Sequence, residues 1–274
     1  MKTLPVALQV YSIREEAAKD FKGAMKAVKE IGYDGVELAG LYGIPAAEIK
    51  KVLDEVGLVP ISAHVSELMN GGAELEDVLN DYVTIGVKYI AVPYLGEGMR
   101  PGDEGFDKIL ERIENIGAKA REKGMSLLYH NHDFEFVKMP DGSYGLDYMY
   151  ANTSPENLKT ELDTCWVNVG GEVPADYVRK YTGRAPVVHL KDFEGSKSEQ
   201  MYELIGIKSE KKEEVKNTFR FRPVGHGKQD FPAILAAAVD AGAEWVVVEQ
   251  DQWYDTPALE CAKMSRDYLK SLGW

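Results

Sequence analysis

The stretch "LLYHNHDFEF", residues 127–136, ends a short apolar run in His130, Asn131, His132, Asp133 and Glu135. A surface loop needs no histidine, and a buried strand tolerates polar groups only where something satisfies them. The chain has five histidines, and the other three fall in similar places: His64 closes "ISAH", His189 lies in "VVHL", and His226 lies in "PVGHGKQD". The carboxylates repeat the pattern, with Glu37 in "GVEL", Asp163 in "ELDT", and Glu249 and Asp251 in "VVVEQD". Imidazoles and carboxylates are the donors that a divalent ion such as Mn²⁺, Mg²⁺, Co²⁺ or Zn²⁺ takes. They are also the usual carriers of protons in general acid–base catalysis. A polar network without a metal is the other reading of the same residues.

Elements that could bring these groups together recur along the chain. An amphipathic helix, a glycine and a β-rich run follow one another in "KEIGYDGVEL", "DEVGLVPISAH", "VTIGVKYIAVPY", "REKGMSLLYH", "KYTGRAPVVHL" and "DAGAEWVVVEQ". The glycine sits where a helix ends in a left-handed residue. The runs that follow have the length and the Val/Ile/Leu content of parallel strands. Over 20–31, Phe21, Ala24, Met25, Val28 and Ile31 share one helix face behind an Asp20 cap. Over 45–56, Pro45 is expected at the first helical position, ahead of an Ile49, Val52, Leu53, Val56 stripe. With strands at 5–10 and 158–163 the count reaches eight, which predicts an α/β fold, a single (β/α)₈ TIM barrel spanning 1–274. The rival, an open doubly wound sheet, would carry a Gly-rich fingerprint after its first strand, where this chain has "VYSIREE". A charged insertion at about 194–218 falls in the seventh βα loop, readable as a lid or as a solvated excursion.

Every histidine and the carboxylates named above then lie at the carboxyl ends of strands or just beyond, the rim where such barrels carry chemistry. Strand side chains alternate, so residues two apart share a face. His130 pairs in this way with His132, Glu161 with Asp163, His189 with Lys191, and Glu249 with Asp251.

A formal charge of −13 argues against a nucleic-acid partner, which needs a basic face. Two cysteines, Cys165 and Cys261, are too few for a disulfide framework. The opening residues lack the pattern of a signal peptide, and no apolar run reaches the roughly 18 residues of a membrane span. The expectation is a cytoplasmic protein with a small-molecule partner and no membrane association; whether it forms a homo-oligomer is open.

At "GYDGVEL", "YHNHDFEF", "ELDTCWVNVGG", "VVHLKDF" and "VVVEQD" the sequence resembles the xylose isomerase-like barrel superfamily, often described as sugar phosphate isomerases and epimerases. The resemblance covers nearly the whole chain. It implies a carbohydrate substrate and one metal ligand from each of the fifth to eighth strands, commonly Glu, Asp, His and Glu. Asp163, His189 and Glu249 match that pattern, while His130 stands where the family usually has Glu. It implies a metal-dependent isomerase or epimerase that removes a proton next to a carbonyl and stabilises the enediolate. The alternative is a dehydratase or lyase on an inosose, keto sugar or oxidised glycoside. An apurinic endonuclease-like nuclease and a non-catalytic sugar-binding barrel stand further off.

Within that frame the expected catalytic residues are Glu249 as ligand and base, Lys191 steadying an oxyanion or pairing with Asp163 or Asp251, and His132. Glu37, His64, Trp166, His226 and Asp251 are the expected substrate contacts, with Tyr11 a second aromatic beside the rim. A Cys165 nucleophile is disfavoured for want of a histidine partner.

Overall fold

The computed structural model describes residues 2–69, 75–197, 201–206 and 218–274. Eight parallel strands close into a barrel: β1 (Val6–Gln9), β2 (Gly35–Ala39), β3 (Val59–His64), β4 (Tyr89–Val92), β5 (Ser126–His130), β6 (Lys159–Asp163), β7 (Val187–Leu190) and β10 (Trp245–Val248). Each strand pairs with its sequence neighbours, and β10 closes the ring between β7 and β1. Two further strands, β8 (Asp192–Glu194) and β9 (Arg220–Arg222), form an antiparallel ribbon at the start and end of the charged insertion. The alternation of residue types does not announce this ribbon. Most of the insertion itself, 198–200 and 207–217, lies outside the described residues, and with it the question of a lid.

Local signals act as the sequence implies. Asp20 caps the helix Phe21–Ile31, its carboxylate accepting from the Gly23 N–H at 2.9 Å. Gly32 and Gly57 end their helices at φ of 103° and 78°, which a side chain would make costly. Pro45 is the cap rather than the first helical residue, because its ψ of 140° is extended. Strand one stops at Gln9, one residue short of expectation. The Gln9 side chain accepts from the Tyr11 N–H at 2.9 Å and turns the chain into the short helix Val10–Ile13.

The barrel interior explains why polar residues collect at one end. Ala7, Ile61, Tyr89, Ala91, Leu128, Val187 and Val247 fill it with a buried apolar layer. Two residues further along β1, β5, β7 and the chain continuing from β10, the same face carries Gln9, His130, His189 and Glu249, all buried. The apolar plug anchors the barrel, and the next layer up can be entirely polar because its members satisfy one another.

Candidate active site and metal centre

Glu37, at the centre of that polar layer, is fully buried and surrounded by donors. Gln9 Nε2 donates to Oε1 at 2.7 Å, the Ser62 hydroxyl donates to Oε2, and His189 Nε2 lies 2.8 Å from Oε1. The other ring nitrogen of His189, Nδ1, lies 3.0 Å from Glu249 Oε2. His130 Nδ1 faces Glu161 Oε2 at 2.9 Å, and its Nε2 faces Asp163 Oδ2 at 3.6 Å. Asp163 is aimed by the helix that follows it: Oδ1 accepts from the backbone N–H of Cys165 at 2.8 Å and of Trp166 at 3.1 Å. Its other oxygen, Oδ2, has no hydrogen-bond partner and points toward Lys191 Nζ at 3.2 Å. Lys191 is also buried, 2.9 Å from Glu249 Oε2 and 2.8 Å from Asp251 Oδ2.

"YHNHDFEF" folds back on itself to hold these groups. The Asn131 side-chain oxygen accepts from the Asp163 N–H at 2.9 Å, tying β5 to β6 beyond the last strand pairing. Glu135 is fully buried, accepting from Tyr129 OH at 2.5 Å and from the His132 N–H at 2.8 Å. The His132 ring stacks on Phe134 and meets Tyr94 edge-on, which fixes its plane at the cavity wall.

Electrostatics sort the groups by charge. Burial opposes the ammonium of Lys191, but Asp163, Asp251 and Glu249 outweigh it and keep it protonated. Burial likewise works against ionised Glu249, yet Lys191 and His189 hold its carboxyl well below the usual range. Asp251 goes the other way, pushed up to about 7 by burial against the pull of Lys191. His64 reaches about 9 because Glu37 and Glu161 overcome burial. Burial lowers His130 and lowers His132 far more, so His132 is a neutral imidazole.

These groups form the floor and wall of a cavity of about 470 Å³. Of the expected residues, His64, His130, His132, Lys191, Glu249 and Asp251 line it, as does Tyr11. Asp163 and His189 lie at its floor within the same cluster. Three expected substrate contacts are placed elsewhere. Glu37 lies beneath the lining, saturated by Gln9, Ser62 and the histidines, so it orients His189 rather than meeting a ligand. Trp166 is fully buried behind His132, stacked on Phe219 and edge-on to Phe221 of the ribbon, so it offers no open face to a sugar. His226 lies in the turn after β9, outside the cavity. Cys165 is buried and its thiol is driven up by burial, in keeping with its exclusion as a nucleophile.

The sequence pattern paired Glu161 with Asp163 without giving it a role, and passed over Gln9 and Ser62 as members of the site. Ser62 lies two residues before the rim candidate His64, so the alternation that found the pairs could have found it too. Ser66, Glu67, Pro93, Tyr94 and Ile205 also line the cavity. No spacing rule links these loop residues to the strands.

One ligand atom each from His130, Asp163, His189 and Glu249 comes within 4.8 Å of the others. Two imidazoles and two carboxylates suit a divalent ion. Asp163 Oδ2, fully buried, makes no hydrogen bond and faces only the Lys191 ammonium and the His130 ring, an environment a cation would complete, so these residues fit the group.

Comparison with known proteins agrees with this architecture. The chain is 24% identical over 257 residues to an inosose dehydratase of Lacticaseibacillus casei, covering 85% of this chain and 82% of that one. A sugar phosphate isomerase/epimerase from Parabacteroides distasonis superposes with a TM-score of 0.79 at 21% identity, covering 99% of this chain and 95% of that one. The IolI protein with a bound zinc atom superposes with a TM-score of 0.71 at 15% identity, covering 98% of each chain. The family model described as xylose isomerase-like TIM barrel matches residues 25–272, nearly the whole chain, and the protein belongs to that family.

Proposed function

We propose that the protein is a divalent-metal-dependent dehydratase acting on a cyclic polyol ketone, a keto sugar or inosose without a phosphate group. The observation that carries the reading is the convergence of His130, Asp163, His189 and Glu249 with Lys191 on the floor of one cavity. A cation held by those four residues would supply Lewis-acid polarisation of a carbonyl oxygen. Glu249, kept ionised by Lys191 and His189, takes the proton from the carbon next to that carbonyl. The C–H pair moves into the ring as the hydroxyl on the adjacent carbon departs, and that hydroxyl leaves as water with a proton from Asp251. Asp251 suits the task because a group near 7 can give and regain a proton at neutral pH. Lys191, between the two carboxyls, keeps one charged and orients the other. Neutral His132, at the cavity wall, offers its imidazole to a substrate hydroxyl.

The absence of a phosphate is argued from charge. Among the described residues lining the cavity, the cations are Lys191, already facing three carboxylates, and His64, already held by Glu37 and Glu161, and Glu67 adds a further acid. A phosphate dianion would find no free positive group there. Epimerisation, which the resemblance put first, shares the proton abstraction and differs only in the fate of the enediolate. The relatives named inosose dehydratase support elimination. A nuclease reading fits poorly with the acidic wall.

The test is incubation with inososes and neutral keto sugars plus Mn²⁺ or Mg²⁺ in D₂O, with the products read by NMR. Loss of water with deuterium exchange in wild type, and neither in Glu249→Gln at equal metal content, supports the reading. Exchange with no dehydration returns the case to epimerisation. Turnover confined to phosphorylated substrates refutes the charge argument.

A further inference from the structure

Beneath His130, Asp163, His189 and Glu249, a second set of donors converges. Three imidazole nitrogens surround a single oxygen, Glu161 Oε2: His64 Nε2 at 2.6 Å, His130 Nδ1 at 2.9 Å and His189 Nε2 at 3.4 Å. One ligand atom from each of these four side chains lies within 4.8 Å of the others. Their role could be only to orient the histidines, since metal-bound imidazoles usually donate their second N–H to a carboxylate. That role leaves two features unexplained. His189 already has Glu37 Oε1 at 2.8 Å as its acceptor, so the crowding at Glu161 serves no orienting need there. Glu161 Oε1, fully buried, has no hydrogen-bond partner, although a carboxylate receiving three donors would ordinarily spread them over both oxygens.

We infer that His64, His130, Glu161 and His189 form a second divalent-metal seat, built on Glu161 two residues down β6 from Asp163 and sharing two of the first seat's histidines. The shared rings use opposite nitrogens. His130 turns Nε2 toward Asp163 above and Nδ1 toward Glu161 below; His189 turns Nδ1 toward Glu249 above and Nε2 toward Glu37 and Glu161 below. A neutral imidazole has one lone pair, because its other nitrogen carries the proton. Filling both seats together would require both rings to be fully deprotonated. The seats therefore alternate, one ion per chain, and passage from one to the other exchanges the tautomers of His130 and His189.

The donor sets differ in a way that lets the ion choose. Three imidazoles and one carboxylate favour Zn²⁺ or Co²⁺, whereas two carboxylates and two imidazoles are more hospitable to Mn²⁺ or Mg²⁺. An ion in this lower seat leaves Asp163 and Glu249 to Lys191. Metal identity would thus set how much of the protein has its ion beside Glu249. Neither seat depends on which reaction the cavity carries out, and the test needs no substrate.

The chelator-stripped full chain is titrated with Co²⁺ while metal content and the visible spectrum are monitored. Wild type is expected to take one equivalent, and its hyperfine-shifted NMR spectrum to contain three exchangeable imidazole N–H signals, one from each of His64, His130 and His189. In Asp163→Asn/Glu249→Gln, which disables the upper seat, one equivalent is still expected. Adding His64→Ala to that variant should weaken binding at least about 100-fold, equivalent to about 2.8 kcal/mol. Two N–H signals in wild type would place cobalt in the upper seat and overturn the inference, without requiring any variant to fold. Two equivalents in wild type, or cobalt binding in the double variant that His64→Ala leaves unchanged, would overturn it as well.

Discussion

Replacing Glu135 with glutamine should remove a loss of stability that wild type suffers as pH rises. Glu135 is fully buried behind the His132 loop, and burial pushes its carboxyl from 4.5 to about 8, against the hydrogen bonds from Tyr129 and the His132 N–H. The folded chain therefore binds this proton more tightly than the unfolded chain. A raised carboxyl contributes its full stability below about 4.5 and loses it as pH climbs toward 8, because ionisation then favours the unfolded state. With those two values, wild type should lose about 2–3 kcal/mol between pH 5 and 7 from this group, and about 4 kcal/mol by pH 9. Glutamine cannot titrate, and as a neutral isostere it can still accept from the His132 N–H. Other titrating groups are common to both proteins, so their effects cancel in the difference. Urea unfolding of wild type and Glu135→Gln at pH 5, 6, 7, 8 and 9 measures it directly. The variant should gain on wild type at every step upward and overtake it near neutrality. A difference that stays flat, or that favours wild type as pH rises, would refute the assignment of Glu135 as a buried neutral acid.

The same geometry gives three further expected outcomes. His189→Ala removes a donor from both ligand sets and should cut bound metal and turnover together; metal analysis and an activity assay on the same sample check it. Lys191→Met leaves Asp163, Glu249 and Asp251 without their cation, and should cost about 3–5 kcal/mol at pH 8. Since those carboxyls would then resist ionisation in the folded state, much of the loss should return at pH 5, as measured by urea unfolding. Gly117→Ala would place a Cβ 1.9 Å from the backbone oxygen of Asn157, so the helix Phe106–Glu122 must shift. Thermal melts should show a loss of about 1–3 kcal/mol despite alanine's better helix propensity.

The barrel and its functional end could be read from the sequence because both depend on local regularities. Helix-ending glycines such as Gly32 and Gly57, the Asp20 cap, and a period-two alternation of side chains are properties of short segments. They were enough to number the barrel strands and to place His130, Asp163, His189 and Glu249 at one rim. The tertiary structure decided what each group at that rim can do. Whether Glu37 faces a ligand or supports His189, whether Trp166 is a platform or a buried wall, and whether Asp251 titrates near 7 all depend on neighbours far away in sequence. Glu37 is enclosed by Gln9, Ser62 and His189, and Trp166 by a ribbon whose strands begin only at Asp192 and Arg220. Burial and charge pairing arise from the closure of the ring between β1 and β10, and no segment contains that closure. The sequence by itself therefore determined which chemistry is available and at which end of the fold; only the closed barrel determined which residues reach the cavity and with what charge.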